Sequence, residues 1–360
     1  MSWFLAFAGF ALLVILHEAG HFTAAKAVGM RVERFSLFFP PTLLRKKVGE
    51  TEYAIGAIPA GGYVKISGMN PDESLPDEVR TRAYYSQPVW KRIVVISAGP
   101  AVNLVVAFLL LLLYFAVIGP ETTSTKVGAI QKGFPAAHVL KPGEKLVAVD
   151  GKRGDEAGLA KQIASHRCAQ SPPVDSCKAQ TPAKLLVRER DGTVRRLELT
   201  PIYDASVKRT RLGFSYAAGP HKPMPFGQAF DTTTNRYWYI TKQTVALPAR
   251  LFNAQKRKQI TGVVGSYEYT RQTILTNIGD VIGIMAIISL SLAIVNLFPF
   301  LPLDGGHIFW AIVEKIRRQP VPFSVMERAG VVGFMLVIGL FILGLTNDID
   351  RLSGQGFQVR

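Results

Sequence analysis

Charge is what this chain has little of. Asp, Glu, Lys and Arg make up 19% of its 360 residues, against about 25% in ordinary soluble domains. Acid is scarcer than base: 26 Asp and Glu face 42 Lys and Arg, a formal net charge of +16. The two cysteines are too few for a disulfide-dense scaffold or a multi-cysteine metal cluster. No repeat of about 20 to 50 residues recurs, and no low-complexity tract interrupts the chain. Apolar residues reach 48%, which excludes disorder. A chain both basic and poor in charge must keep its charges apart from long apolar stretches, so a single soluble domain is a poor fit.

Those stretches are present. Ile93 to Gly119, Val281 to Leu303 and Ala329 to Asn347 contain no Asp, Glu, Lys or Arg, and a bilayer crossing takes about 20 residues. A fourth apolar run comes first, from Met1 to Leu16, meets His17 and Glu18, and resumes as Ala19 to Val28 with His21 and Lys26 inside it. A secretory signal peptide is the alternative for that run, but no basic segment precedes it and no small-x-small site ends it. The net positive charge suggests loops beside a membrane rather than nucleic acid.

Lys and Arg in short loops set orientation. Ten of them lie between Met30 and Arg92, and Lys315, Arg317, Arg318 and Arg328 lie between the third and fourth runs. Both basic loops are therefore expected in the cytoplasm and both termini outside. Residues 120–280 then fall outside as well. Their 25 Lys and Arg do not oppose this, because long domains translocate largely regardless of charge.

Within that region, strand candidates are Val127 to Ile130, Lys145 to Val149, Lys184 to Arg190 and Thr193 to Thr200, with Asp150-Gly151 and Asp191-Gly192 as hairpin-turn signals. Pro135-Ala136-Ala137 followed by Leu140 to Leu146 resembles a PDZ domain of the kind fused to membrane proteases, a module that captures peptides at a strand edge. Cys168 and Cys177 sit in an insertion of this module. In an oxidising space they are expected to close a small loop, the alternative being two free thiols. Phe226 to Asn277 reads as helices that lie on the membrane surface or brace the module, or as a plain linker helix.

The chemistry concentrates in His17-Glu18-Ala19-Gly20-His21. Residues i and i+4 share a helix face, so both imidazoles can bind one Zn²⁺ with Glu18 beside the water it activates. Two His and a Glu in hydrocarbon are costly, and intramembrane ionisable residues are functional candidates by default. A buried, hydrogen-bonded histidine pair is the bland alternative. A zinc hydrolase needs a third protein ligand. Ala24 and Ala27 occupy the positions where a metzincin would carry its glycine and third histidine. Glu33, Glu50 and Glu52 lie in the basic loop and fit poorly. Asp304 fits better: it follows an apolar run that Pro299 and Pro302 unwind, and freed backbone at that depth is tolerated only where it is buried or lines a cavity. A helix-terminal aspartate in a glycine turn is the alternative there, and His307 reads as support for Asp304 or the turn.

The pair His17-Glu18-Ala19-Gly20-His21 and Leu303-Asp304-Gly305 resembles the site-2 protease family of intramembrane zinc metalloproteases. Gly99-Pro100-Ala101-Val102-Asn103 and Gly61-Gly62-Tyr63-Val64-Lys65-Ile66-Ser67-Gly68-Met69 agree, and the likeness, to the bacterial RseP type, covers nearly the whole chain. It implies zinc held by His17, His21 and Asp304, with Glu18 as catalytic acid/base. It also implies that Asn296 engages the substrate backbone and that Tyr53 to Lys65 form a membrane-dipping β-hairpin whose Tyr63, Val64 and Lys65 pair with an extended substrate strand. Asn103 is read as a gating residue or an interhelical hydrogen bond. The single PDZ-like module and the Cys168 to Cys177 insertion depart from larger relatives.

The expected architecture is an α-helical polytopic membrane protein with four transmembrane helices and an inserted α+β PDZ-like domain. Its order is a first span over residues 1–29, a cytoplasmic loop over 30–92, a second span over 93–119, the PDZ-like domain over 120–205 and extracytoplasmic helices over 206–280. A third span over 281–303, a cytoplasmic loop over 304–328, a fourth span over 329–347 and a tail over 348–360 follow. The family implies regulated intramembrane proteolysis in the bacterial cytoplasmic membrane, with the site towards the cytoplasmic side. Its substrates would be single-span membrane proteins already cut outside, such as anti-sigma factors or signal-peptide remnants. The PDZ-like module would take a peptide ligand, and nucleic acid is not expected as a partner. A membrane adaptor with a structural metal and a metal transporter using the same His and Asp are the competing readings.

Overall fold

The computed structural model describes residues 2–353 apart from 71–72, 169, 206 and 259. The chain divides into two bodies, residues 1–118 with 224–359, and Gly119–Pro223.

The first body is helical. It comprises α1 (Ser2–Ala27), a sheet of β1 (Val32–Val48) and β2 (Thr51–Ile66), the single turn α2 (Asp77–Arg80) and α3 (Val89–Leu113), whose last turn widens over Tyr114–Ile118. After the second body come α5 (Phe226–Val245), the short α6 (Leu247–Leu251) and α7 (Ala254–Arg257), α8 (Val263–Thr276), α9 (Asp280–Asn296), α10 (Asp304–Arg317) and α11 (Phe323–Ser353). Three helical stretches, Ser2–Ala27, Val89–Ile118 and Ser324–Asp350, are long and apolar enough to cross a membrane. The stretch expected as the third span is helical only over Asp280–Asn296, and α10 resumes at Asp304. Pro299 and Pro302 explain the interruption, since each lacks an N–H and clashes with the preceding turn.

Long helices here bury little of themselves: 22% of the most apolar stretch of α1 and of α3, and 11% of that of α11. What they bury is partly polar. Asn103 and Ser289 are fully enclosed, and the Ser289 hydroxyl donates to the Asn103 carbonyl at 2.9 Å, joining α9 to α3. Close approach of α1 to α3 depends on Gly20, where a Cβ would stand 2.6 Å from the Ala98 carbonyl oxygen. Helix α5 lies along α3 in the opposite sense. Met224 N–H donates to the Phe115 carbonyl (3.0 Å), the Phe108 ring meets Phe230 and Tyr237 at 5.7 and 5.8 Å, and the Tyr237 hydroxyl donates to the Leu104 carbonyl (3.2 Å). Its packed face, Ala229, Thr233, Ile240 and Thr244, therefore lies with the apolar helices. The Asp348 carboxylate in α11 accepts from Gly262 and Gly265 N–H (3.1 and 2.7 Å), capping α8.

The sheet differs from a local hairpin over Tyr53 to Lys65. β1 and β2 pair antiparallel around the Gly49–Glu50 turn, Val48 opposite Thr51 and Leu44 opposite Ile55. Arg34 to Leu37 face Lys65 to Gly62 on one side and Glu52 to Ile55 on the other. The second of these pairings rises together along both segments, so it is parallel. Residues 34–37 thus separate the two halves of β2, in the order 42–48, 51–56, 32–37, 62–66. Segment 62–66 forms an edge, paired on one side only among the described residues. Val32, Ile66 and Tyr84 anchor the sheet to Ala25 of α1 and to Val95 and Ile96 of α3 in one apolar cluster.

The second body is β-rich. β3 (Val127–Ile130), β4 (Lys145–Val149), α4 (Glu156–Ala164), β5 (Ala183–Arg188), β6 (Val194–Leu199), β7 (Ile202–Asp204), β8 (Arg209–Arg211) and β9 (Phe214–Tyr216) form a three-stranded sheet β4-β5-β6 and the pairs β3-β9 and β7-β8. The four strands match the sequence expectation closely. Asp191-Gly192 closes the β5–β6 hairpin, with the Asp191 carboxylate accepting from Thr193 N–H at 2.9 Å. Asp150-Gly151, both at positive φ (50° and 78°), makes the expected two-residue hairpin turn, with Val149 and Lys152 exchanging N–H···O bonds of 3.0 and 2.9 Å before the chain enters α4. Val127, Leu146, Leu159, Leu185 and Val187 fill the core at 0 to 2% exposure. Cys168 and Cys177 are disulfide-bonded, Cα to Cα 5.8 Å.

Candidate metal centre

Helix α1 presents His17 and His21 one turn apart on its buried face, at 6% and 7% exposure. Their Nε2 atoms are 3.2 Å apart. The first residue of α10, Asp304, brings Oδ2 to 3.1 Å from His17 Nε2 and 3.4 Å from His21 Nε2. Nothing else among the described residues hydrogen-bonds this buried oxygen. Residues 283 positions apart along the chain are thus joined, because the 297–303 break lets α10 start beside α1. The start is tight: a Cβ on Gly305 would overlap the Leu297 carbonyl, and one on Gly306 would meet the Leu301 backbone. Gly99 serves α3 in the same way, since a Cβ there would overlap the His21 ring.

These three separations test the donor set. A tetrahedral zinc with bonds of ~2.0–2.1 Å has ligand-to-ligand edges of about 3.3 Å. The observed 3.2, 3.1 and 3.4 Å match that triangle, and two imidazoles with one carboxylate suit zinc. Three donors leave a fourth position open, as a hydrolytic site requires. His21 Nδ1 donates to the Val95 carbonyl at 2.9 Å, which leaves its Nε2 lone pair facing the other donors.

The surroundings follow. Glu18 lies between the two histidines, half-buried, and a Cβ on Gly62 would stand 3.0 Å from its Cγ. Gly62, at one end of the edge segment 62–66, therefore lies directly beside Glu18. Asn296, the last residue of α9, places Nδ2 3.5 Å from His17 Nε2, and Asn103 places Nδ2 3.4 Å from His17 Nδ1. Tyr63, Val64 and Lys65 direct their side chains elsewhere. Arg34 donates to the Tyr63 hydroxyl (3.2 Å), Val64 packs into the apolar cluster, and Lys65 pairs with Glu33 at 2.7 Å. Glu33, Glu50 and Glu52 are occupied by Lys65, by Lys26 and Arg82, and by Arg34 respectively. His307 stands outside the donor triangle.

Sequence reasoning missed Arg92, which it counted as a loop charge. Arg92 is 3% exposed, forks onto Glu314 of α10 at 2.9 and 2.5 Å, and lies over the Tyr84 and Tyr85 rings. It ties the helix that begins with Asp304 to α3. The one available hint was its place at the mouth of an apolar run.

Peptidase family M50 matches residues 5–340. The chain is 28% identical to the metalloprotease MmpA of Caulobacter vibrioides, over 94% of this chain and 93% of that one. It is 28% identical to the zinc metalloprotease Rip1 of Mycobacterium tuberculosis, over 93% and 94% respectively. A Brucella suis relative reaches 29% over 94% of this chain and 92% of its own. The chain belongs to peptidase family M50, the site-2 proteases. It is a zinc metalloprotease and a multi-pass membrane protein carrying a β-rich domain.

Proposed function

We propose that the protein hydrolyses peptide bonds within the bilayer, in single-span membrane proteins already shortened outside, of the kind of anti-sigma factors or signal-peptide remnants. The convergence of His17, His21 and Asp304 on one point carries this reading. Bound by these three residues, zinc supplies Lewis acidity, polarising the scissile carbonyl and acidifying water at neutral pH. Glu18 takes the proton of the attacking water and passes it to the leaving amine. Asn296 holds the substrate backbone beside His17.

A substrate helix satisfies its own backbone and shields its peptide bonds, so it must be drawn out locally. Edge segment 62–66 offers the unfolded stretch a strand partner directly beside Glu18, through the backbone of Tyr63, Val64 and Lys65. Residues 120–205 act as the PDZ-like module that receives a peptide end.

In this reading α9 and α10 together make the third of four spans, a broken one. Both termini face outside. Arg92 marks the cytoplasmic end of α3, and Gly99, against His21, lies seven residues on, about 10 Å deep at ~1.5 Å per residue. Glu18→Gln tests the account. Full-length variant in detergent is expected to keep one zinc per chain and to cleave a single-span substrate about 10²- to 10⁴-fold more slowly. Undiminished cleavage overturns the assignment of Glu18. Cleavage-independent function of the variant in cells would favour an adaptor.

A further inference from the structure

The two histidines do not have the same support. His21 Nδ1 meets the Val95 carbonyl, an atom that can only accept, so its hydrogen sits on Nδ1 and Nε2 keeps a lone pair. His17 Nδ1 meets a side-chain amide instead, that of Asn103 at 3.4 Å, and an amide can present either a donor or an acceptor. We infer that Asn103 is a positioning residue that fixes the tautomer of His17, turning its side-chain oxygen to Nδ1–H and so reserving Nε2 for zinc. The inference rests on the ligand set proposed above.

A metal on Nε2 requires the hydrogen on Nδ1. If Asn103 kept its NH₂ there, two donors would face each other, while its oxygen, buried and without another hydrogen-bond partner among the described residues, would be wasted. The network around an amide decides which of its atoms faces a neighbour, and with zinc on Nε2 the oxygen is the atom that faces Nδ1–H. Asn103 is fully buried, and its own carbonyl is held by Ser289, so the residue has a fixed seat between α1 and α9. Water is scarce at this depth and cannot be relied on to replace it. A neutral acceptor on each imidazole also leaves Asp304 as the single carboxylate of the triangle, so no second negative charge must be buried.

Zinc affinity of the full chain in detergent, measured by chelator competition alongside melting of the apo form, tests this. Asn103→Leu removes the acceptor at similar volume and is expected to weaken zinc about 10- to 100-fold. Asn103→Asp keeps an acceptor for Nδ1–H but adds a buried negative charge, so its apo melting is expected to fall while its zinc affinity stays above that of Asn103→Leu. A merely structural residue would shift apo melting and leave this ordering unmade. Wild-type affinity in Asn103→Leu, or an affinity of Asn103→Asp no higher than that of Asn103→Leu, overturns the inference. If Asn103→Leu does not fold, nitrogen-15 histidine spectra of the zinc-loaded wild type decide. A proton on His17 Nδ1 is expected, and Nδ1 on the metal would refute it. Failure of wild type to bind zinc would instead remove the ligand set itself.

Discussion

The two bodies obey opposite rules. In residues 119–223 the interior is Val127, Leu146, Leu185 and Val187, and among the described residues only Val174, Val194 and Val207 are exposed large apolar side chains. In the helical body the interior includes His17, His21, Asn103 and Ser289, while Leu109, Val117, Leu336 and Phe341 stand 51 to 61% exposed. Water explains the first pattern. The second makes sense only if the outer solvent is hydrocarbon, where burying a leucine gains nothing and enclosing a polar group is what organises the fold.

Substitutions can break this contrast. The largest expected effect is at the polar interior. Arg92→Gln leaves Glu314 without its forked partner, and breaking a buried pair costs about 3–5 kcal/mol. The variant is expected to melt earlier in detergent and to hold zinc less well, because α10 starts with Asp304. Unchanged melting and zinc content would show that the pair does not brace the site.

Next comes a matched pair of surface changes. Leu336 and Val194 are 51% and 52% exposed. Leu336→Lys, in the middle of α11, is expected to cost about 2.5–3.5 kcal/mol of membrane insertion, seen as lost accumulation in the membrane fraction. Val194→Lys should stay within about ±0.5 kcal/mol by thermal melting. Equal tolerance at both positions would erase the distinction between the bodies.

The smallest effect is at the polar rim. Arg82 and Lys26 bond the Glu50 carboxylate and lower its pKa from 4.5 to about 2. A depressed pKa stabilises the fold above the unfolded value and loses that contribution as pH falls through the folded one. The melting difference between wild type and Glu50→Gln is therefore expected to be constant above about pH 5 and to shrink as pH approaches 2. A difference that does not change with pH would assign the effect to packing.

Local periodicity made part of this legible. The i, i+4 spacing put both imidazoles on one helix face before any coordinates, and alternating strands with Asp-Gly turns placed β3, β4 and the β5–β6 hairpin. Long-range events were not readable from residues alone. Asp304 entered through two prolines and a family resemblance, not through any property linking it to His17. The insertion of 34–37 between the halves of β2 left no local trace, since Tyr53 to Ile66 has the composition of a simple hairpin. Arg92 looked like a loop charge because composition cannot show that Glu314 will meet it. Phe226 to Val245 was ambiguous because a polar helix that packs along apolar ones has the sequence of a surface helix.

Zinc titration of the apo full chain, wild type beside Asp304→Ala, bears most directly on the convergence of α1 and α10. One zinc per wild-type chain is expected, with Asp304→Ala weakened by more than the ~10- to 100-fold that outer-shell changes cost. Equal affinity in both proteins would mean that Asp304 does not hold the ion, and would contradict the site described here.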